Sequence, residues 1–240
     1  MPRPAGDRPA SGVTPKTILR DFGMTFVTFF RKPDIGCALA FMLLFRLPEA
    51  LCIKLVQPFL KAAREAGGLE LTTSEIGFVN GTVGVAALLA GGVLGGIAIS
   101  RGGLRKWLWP MALSLTLPCI FYCGLAMWQP SDFALICTAI GLEQFGYGFG
   151  FTAFMLYLIY FSRGESQTSH YAFCTAFMAL GMMLPGMAAG WIHDLLEHLN
   201  LFGAAGPQGY VNFFWVVMLS CAATFGVCMN VKIDPEFGRK

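Results

Sequence analysis

The sequence has few charged residues, and very few of them lie within its long apolar stretches. Only 13% of the 240 residues are charged, while 55% are hydrophobic. Soluble domains carry about a quarter charged residues, so this composition excludes an ordinary soluble protein and indicates a membrane protein. The net charge of +3 does not indicate nucleic-acid binding. We therefore expect contact with membrane lipid and no nucleic-acid partner.

The sequence motifs of metal sites and of common hydrolases are also missing. The eight cysteines form no CxxC pair, and no histidine shares a metal-type spacing with them. The sequence contains no HExxH motif and no nucleophile elbow, and nothing in it resembles a nucleotide-binding loop. An integral-membrane enzyme is therefore the weakest of the function classes. We expect no cofactor and no metal.

What the sequence has instead is six long apolar segments. Each is near the roughly 20 residues that an α-helix needs to cross a bilayer. They predict an all-α, polytopic membrane bundle with six transmembrane helices, at residues 35–60, 76–100, 107–127, 133–161, 168–191 and 210–231. Around them we expect four regions: a disordered start at 1–13, an amphipathic surface helix at 14–33, a transmembrane domain at 34–232 and a tail at 233–240.

The basic residues outside these segments lie mostly on one side of the membrane. Thirteen lysines and arginines fall before the first span, in the second and fourth loops, or after the last span, against two in the remaining loops. Because cytoplasmic loops are enriched in Lys and Arg, we expect both termini to be cytoplasmic. The expected location is the inner membrane of a bacterium.

Charged side chains lie inside the first predicted span, where a charge at mid-bilayer costs roughly 2.5–3.5 kcal/mol. On a helical wheel the polar side chains share a stripe of roughly 140°; they are Arg46, Glu49, Lys54 and Gln57. Pro48 and Pro58 favour kinks. One interpretation is a translocation path, in which Arg46 or Lys54 anchors an anionic solute and Glu49 carries a proton. The alternative is an Arg46–Glu49 pair that neutralises itself and only fixes packing.

Glu143 lies inside the fourth span with no basic residue nearby in its own helix. It must be protonated, paired across helices or hydrated, and we expect it to line a proton or solute path together with its neighbour Gln144. Asn80, in the second span, is a further candidate for this path or only an interhelical hydrogen-bond donor. Small residues predict close helix packing at Gly91, Gly92, Gly95, Gly146, Gly150, Gly186 and Gly190.

The most specific pattern joins the second and third spans and reads G-x-x-x-S-R-x-G-x-R-K. Its residues are Gly96, Ser100, Arg101, Gly103, Arg105 and Lys106. A generic positive-inside loop is the simpler interpretation. The pattern also resembles the signature loop of the major facilitator superfamily, which normally has an acid where Ser100 stands. Within that superfamily, residues 44–50, 74–80 and 143–146 resemble the AmpG muropeptide permeases and the related acetyl-coenzyme A transporters.

This resemblance covers most of residues 29–231 and corresponds to the second six-helix half of a twelve-helix transporter. It implies proton-coupled transport of a muropeptide or another bulky anion, with the loop at 100–106 latching a cytoplasmic gate. Because such transporters bind their solute between two halves, we expect this chain to need a separate amino-terminal half or a second copy of itself. The alternative is a non-transporting membrane scaffold or regulatory partner derived from a transporter half.

Overall fold

The computed structural model of the chain describes residues 15–164, 166–197 and 209–239. The expected disordered start at residues 1–13 lies outside these ranges. Within them the chain is helical apart from turns and short connections, and it forms no β-strand. The predicted all-α class is therefore confirmed.

Five of the helices are long and apolar enough to cross a membrane. In chain order the main helices are α1 (Pro15–Phe30), α2 (Ile35–Leu44), α3 (Leu47–Lys61), α4 (Thr73–Gly102), α5 (Leu104–Trp128), α6 (Phe133–Ser162), α7 (Gln167–Glu197) and α8 (Gly209–Asn230). The five membrane-length helices are α4 to α8. They are candidate membrane-spanning helices, as the predicted polytopic membrane protein requires.

The first predicted span, at residues 35–60, is not one helix. It consists of α2 and α3, which are separated at Phe45 and Arg46. Pro48 explains the break, because proline has no N–H to bond to the preceding turn but is tolerated in the first turn of a new helix. The 10 residues of α2 rise about 15 Å, which is half the thickness of the hydrocarbon core. A helix that starts at the membrane surface would therefore end near the middle of the membrane.

Two of the long helices also depart from regular α-geometry. α4 contains a π-helical turn at Val79–Gly84, and α5 contains a 3-10 turn at Leu117–Cys119 that includes Pro118. A π turn widens the helix by one residue and is common at functional sites. The wide turn holds Asn80, one of the polar candidates, whose side-chain amide donates to the Ile76 carbonyl oxygen at 3.1 Å.

The first described helix, α1, lies against the start of α7. Phe29 is fully buried, and the Phe26 ring meets the Phe173 ring edge-on with 5.6 Å between centroids. Other apolar side chains of α1 stay exposed, among them Phe22 at 59% and Met24 at 56%. Exposed apolar groups of this kind suit a helix that lies on a membrane surface, which remains our prediction for α1.

Glycine is required where α4 and α6 touch. A Cβ atom on Gly91 of α4 would overlap the Phe145 carbonyl oxygen of α6, and one on Gly148 of α6 would overlap the Leu88 carbonyl oxygen of α4. The two backbones are therefore in direct contact, which no larger residue would permit. Three further predicted packing glycines make similarly close contacts: Gly95 of α4 with α6, and Gly146 and Gly150 of α6 with α5.

Two other predicted packing glycines do not make close helix contacts. Gly190 has open space where a Cβ atom would be, and Gly92 has only an ordinary contact at 3.9 Å. Gly96, from the loop motif, also faces open space. Because each residue turns the helix by 100°, Gly92 and Gly96 rotate away from the line on α4 that holds Gly91 and Gly95. The G-x-x-x-G spacing predicted the helix face but not which glycine of each adjacent pair lies on it.

A pair of alanine substitutions on α4 tests this packing. Gly91→Ala should lower the midpoint of thermal unfolding by roughly 2–12 °C, because the new methyl group forces α4 and α6 apart. Gly96→Ala should leave the midpoint unchanged or raise it slightly, because alanine has the better helix propensity and meets open space. Tryptophan fluorescence of the detergent-solubilised chain measures both. Equal midpoints for the two variants would contradict the packing described here.

Candidate functional site

A polar cavity of about 250 Å3 lies between α3, α4, α5 and α6. It brings together polar side chains that are far apart in the sequence. Those predicted from the sequence are Glu49, Gln57, Asn80, Glu143 and Gln144. Two tyrosines that were not predicted complete the polar lining, Tyr122 of α5 and Tyr147 of α6.

Arg46 and Glu49 form a buried ion pair with two hydrogen bonds. Arg46 donates from Nε to Glu49 Oε2 and from Nη2 to Glu49 Oε1, both at 2.8 Å. The side chains are only 9% and 10% exposed. Glu49 lies in the first turn of α3, where the positive end of the helix dipole also favours a negative charge. The pair therefore neutralises two charges that the apolar bundle could not hold separately.

The same guanidinium connects α3 to α6. Its Nη2 atom also donates to the Tyr147 hydroxyl at 2.8 Å, and its carbon lies 4.6 Å from the centre of the Phe151 ring. An aromatic face stabilises a desolvated cation by about 2 kcal/mol. Arg46 itself is not among the side chains that line the cavity. It holds Glu49 and Tyr147, which do line it, in fixed positions.

Glu143 differs from Glu49 because it has no cation beside it. Its Oε2 atom accepts hydrogen bonds from the Tyr122 hydroxyl at 3.1 Å and from Gln144 Nε2 at 2.9 Å. In the part of the chain that the structure describes, no Lys, Arg or His forms an ion pair with it. Glu143 is nevertheless only 8% exposed. Among the described residues, its hydrogen-bond partners are the neutral donors Tyr122 and Gln144, so protonation, or water in the cavity, would have to compensate its charge.

The polar cavity opens to the side of the bundle. Ile53, which is 53% exposed, and Gln57, also exposed, form its edge on α3. A second, mainly apolar cavity of about 400 Å3 between α4 and α6 adjoins it at Tyr147. That second cavity is lined by Leu89 and Val93, which are 59% and 63% exposed. The polar groups would therefore meet lipid unless another protein surface covers them.

Lys54 does not line this cavity, although the helical wheel places it in the same stripe as Glu49. It lies instead against α7, where a Cβ atom on Gly186 would come within 2.8 Å of Lys54 Cε. Measured within α3 alone, Lys54 is about 140° from Glu49, while Gln57 is only about 80° away. The predicted stripe is therefore split between two surfaces, and the tightest contact of Gly186 is with the Lys54 side chain, although the Ala50 carbonyl oxygen of α3 is also within 3.5 Å.

The predicted gate loop is a tight turn between α4 and α5. Gly103 has a φ of 78°, a conformation that favours glycine. Ser100 donates to the Ile97 carbonyl oxygen at 2.8 Å within its own helix. The basic side chains of the turn are exposed and form no ion pair with any described residue; they are Arg101, Arg105 and Lys106.

The segment after α8 folds back onto this turn, which the sequence did not predict. The Leu104 amide donates to the Phe237 carbonyl oxygen at 2.9 Å, and the Phe237 side chain is only 8% exposed. The centre of the Phe237 ring also lies 4.9 Å from the centre of the Tyr160 ring of α6 and 4.2 Å from the Cζ atom of Arg163. The residues at 233–239 therefore join the end of α6 to the α4–α5 turn.

No protein-family model matches the chain. The chain is similar to the anhydromuropeptide permease of Escherichia coli (strain K12), with 25% identity over 177 residues, which cover 74% of this chain and 35% of the permease. It is also similar to proteins named AmpG 1 in two Rickettsia species. The Rickettsia felis protein is 24% identical over 154 residues, which cover 64% of this chain and 33% of that protein. The Rickettsia prowazekii protein is 24% identical over 170 residues, which cover 68% of this chain and 37% of that protein.

The chain spans about a third of the length of the relatives it matches. The name of the Escherichia coli relative describes transport rather than catalysis, in agreement with the prediction that this chain is not an enzyme. The predicted resemblance to the AmpG permeases is thus confirmed. Together with the five long apolar helices, this similarity supports an integral membrane protein that resembles the AmpG permeases.

Proposed function

We propose that the chain is the carboxy-terminal half of a proton-coupled secondary transporter of the major facilitator type. The observation that carries the proposal is the side-opening polar cavity, in which two buried carboxylates, Glu49 and Glu143, face one space inside an apolar bundle. Ionisable groups buried in membrane bundles mark solute and ion pathways, because their cost is otherwise avoided. The similarity to an anhydromuropeptide permease supports the same class of function.

In this proposal α2 and α3 together form a sixth span. With 10 and 15 residues, each is short of the roughly 20 residues that cross a bilayer, but in series they are long enough. Irregular backbone is tolerated at membrane depth where it is buried in protein or lines a cavity. Transporters commonly place such broken helices beside the solute site. The break at Arg46 has this position, since its partner Glu49 lines the cavity.

The open side of the cavity is where the proposal puts a second six-helix unit, either a separate amino-terminal half or a second copy of the chain. In α4 and in α7, only 22% of the residues in the most apolar stretch of each helix are buried inside the protein. The corresponding share is 50% in α5 and 44% in α6. The exposed side chains of α4 include Leu89 and Val93, which lie next to the cavity at Tyr147. A partner on this side would shield Gln57 from lipid and complete the solute site.

The side chains then have distinct roles. Glu143 carries the coupled proton, alternating between a charged form held by Tyr122 and Gln144 and a neutral, protonated form. Arg46 positions Glu49 beside the cavity and lies behind the cavity wall in this structure. In another state of the transport cycle, its remaining N–H groups would bind the anionic solute, for which a muropeptide is the leading class. Lys54, on the α7 side of α3, is a second candidate anchor for the anion.

The proposal also orients the chain with both termini in the cytoplasm, in the inner membrane of a bacterium. Basic residues that are scattered in the sequence meet at one end of the bundle. Lys32, Arg163 and Lys232 line one cavity there, and Phe237 connects Arg163 to the α4–α5 turn. A concentration of positive charge at one end is typical of the cytoplasmic side. The α4–α5 turn and the docked tail would latch the gate at that side.

Glu143→Gln tests the proton role. The variant keeps the size of the side chain but cannot bind and release a proton, so uptake driven by a pH gradient should be lost while membrane insertion is unchanged. The measurement is uptake of labelled anhydromuropeptide by cells of the source organism that carry the variant in place of the wild-type chain, so that any natural partner is present. Glu65→Gln makes the same chemical change at an exposed loop residue and should leave uptake intact.

Two results would count against this assignment. Normal gradient-driven uptake by Glu143→Gln would remove Glu143 from the mechanism. Equal uptake with and without the wild-type chain would remove the transport function itself and would favour the scaffold alternative.

A second set of variants separates a packing role of Arg46 from a solute-binding role. Arg46→Gln alone leaves Glu49 buried without its cation and should cost about 3–5 kcal/mol of stability. Arg46→Gln combined with Glu49→Gln removes both charges and should recover most of that stability. If Arg46 also binds the solute, the folded double variant should still transport poorly, with a raised KM. Recovery of both stability and transport would show that the pair only fixes packing.

A further inference from the structure

A second polar cavity, of about 480 Å3, lies at the end of the bundle where α2 begins and where α6 and α8 end. It shares no lining residue with the cavity that contains Glu49 and Glu143. Three basic side chains line it, Lys32, Arg163 and Lys232, against one carboxylate, Asp34. The charged groups of this basic cavity therefore leave an excess of positive charge.

Lys32 is fixed at the end of α6 and still has a hydrogen-bond donor to offer. Its ammonium group donates to the Phe161 carbonyl oxygen at 2.6 Å and to the Arg163 carbonyl oxygen at 2.8 Å, which are at the negative end of that helix. An ammonium group has three N–H donors, so one remains. Burial lowers the pKa of the Lys32 side chain from its ordinary value, so a neighbouring anion would favour its charged form.

Arg163 and Lys232 are also available to an anion. The central carbon of the Arg163 guanidinium lies 4.2 Å from the centre of the Phe237 ring, and none of its side-chain N–H groups donates a hydrogen bond to a described residue. Lys232 Nζ lies 3.3 Å from Asp34 Oδ1, but these side chains are 79% and 49% exposed. A water-exposed ion pair of this kind contributes little to stability, so it exchanges readily for a better acceptor.

The inner wall of the basic cavity is aromatic and apolar. It is formed by Tyr157, which is only 3% exposed, with Tyr160, Phe161 and Cys37. Tyrosines are enriched at the level where the headgroups of a bilayer meet its hydrocarbon. The cavity therefore combines accessible cations with an aromatic and apolar inner wall. A phospholipid likewise combines a charged headgroup with an apolar part.

We propose that the basic cavity binds the headgroup phosphate of an anionic phospholipid from the adjoining leaflet. Basic pockets between membrane helices on the cytoplasmic side are suited to anionic headgroups, and this end of the bundle is the one that we propose to face the cytoplasm. The lipid would bridge the segment before α2, the end of α6 and the segment after α8, which contribute Lys32, Arg163 and Lys232. A free phosphate would use the cations but not the aromatic wall.

Binding of dioleoyl phosphatidylglycerol to the full chain in detergent, followed by native mass spectrometry, tests the proposal. The double variant Arg163→Gln/Lys232→Gln should bind it roughly 30-fold more weakly, since each basic residue near a headgroup contributes about 1 kcal/mol. Asp34→Asn should bind it roughly fivefold more tightly, because a competing carboxylate is removed. Asparagine tolerates the positive φ of 58° at this position, so loss of folding does not confuse that second test.

The controls separate the lipid site from general charge attraction and from a site for soluble anions. Arg20→Gln/Arg239→Gln removes two exposed charges that do not line the cavity and should leave the affinity unchanged. Phosphatidylcholine with the same acyl chains should bind weakly, and inorganic phosphate should not displace phosphatidylglycerol. The proposal is overturned by equal binding to the Arg163/Lys232 variant, by equal loss in the control variant, by equal binding of phosphatidylcholine, or by displacement with millimolar phosphate.

Discussion

A buried charge needs a partner inside an apolar bundle, and Arg46 and Glu49 meet that constraint within one helical turn. Their two hydrogen bonds form where α2 ends and α3 begins, so the helix break and the ion pair support each other. Arg46 donates a third hydrogen bond to Tyr147, which connects the ion pair to α6. The position of Glu49 in the polar cavity, and the shape of the cavity itself, follow from this connection between α3 and α6.

The lone carboxylate of Glu143 is the counterpart of this neutralised pair. Both acids face the same space, but among the described residues a basic partner is found for Glu49 and not for Glu143. The cavity therefore combines a fixed charge pair with a group whose neutral form requires a proton. The glycine contacts between α4 and α6 hold the two backbones together beside this cavity, because Gly91 lies against Phe145 and Gly148 against Leu88. In the proposed transporter, a proton on Glu143 would then change the charge of the cavity without a change in the fixed ion pair.

The sequence predicted most of the helices and the acidic candidates, because apolar segments and a charge within them are local features. It failed where a residue's role depends on a neighbour from another helix. Lys54 was grouped with Glu49 because a helical wheel shows only angles within one helix. The two side chains are about 140° apart on α3, and the packing of α7 on one side and of α6 on the other places them on different surfaces. Tyr122 was missed because a tyrosine in an apolar segment looks like any other interfacial aromatic residue. Phe237 was missed because docking of a tail leaves no periodic pattern.

The most direct test of the central claim is the infrared difference spectrum of the chain in lipid bilayers between two pH values. The account predicts a carboxylic acid C=O band that gains and loses intensity with pH and that is absent from the spectrum of Glu143→Gln. Identical difference spectra for the wild-type chain and Glu143→Gln would contradict the claim that Glu143 binds and releases the coupled proton.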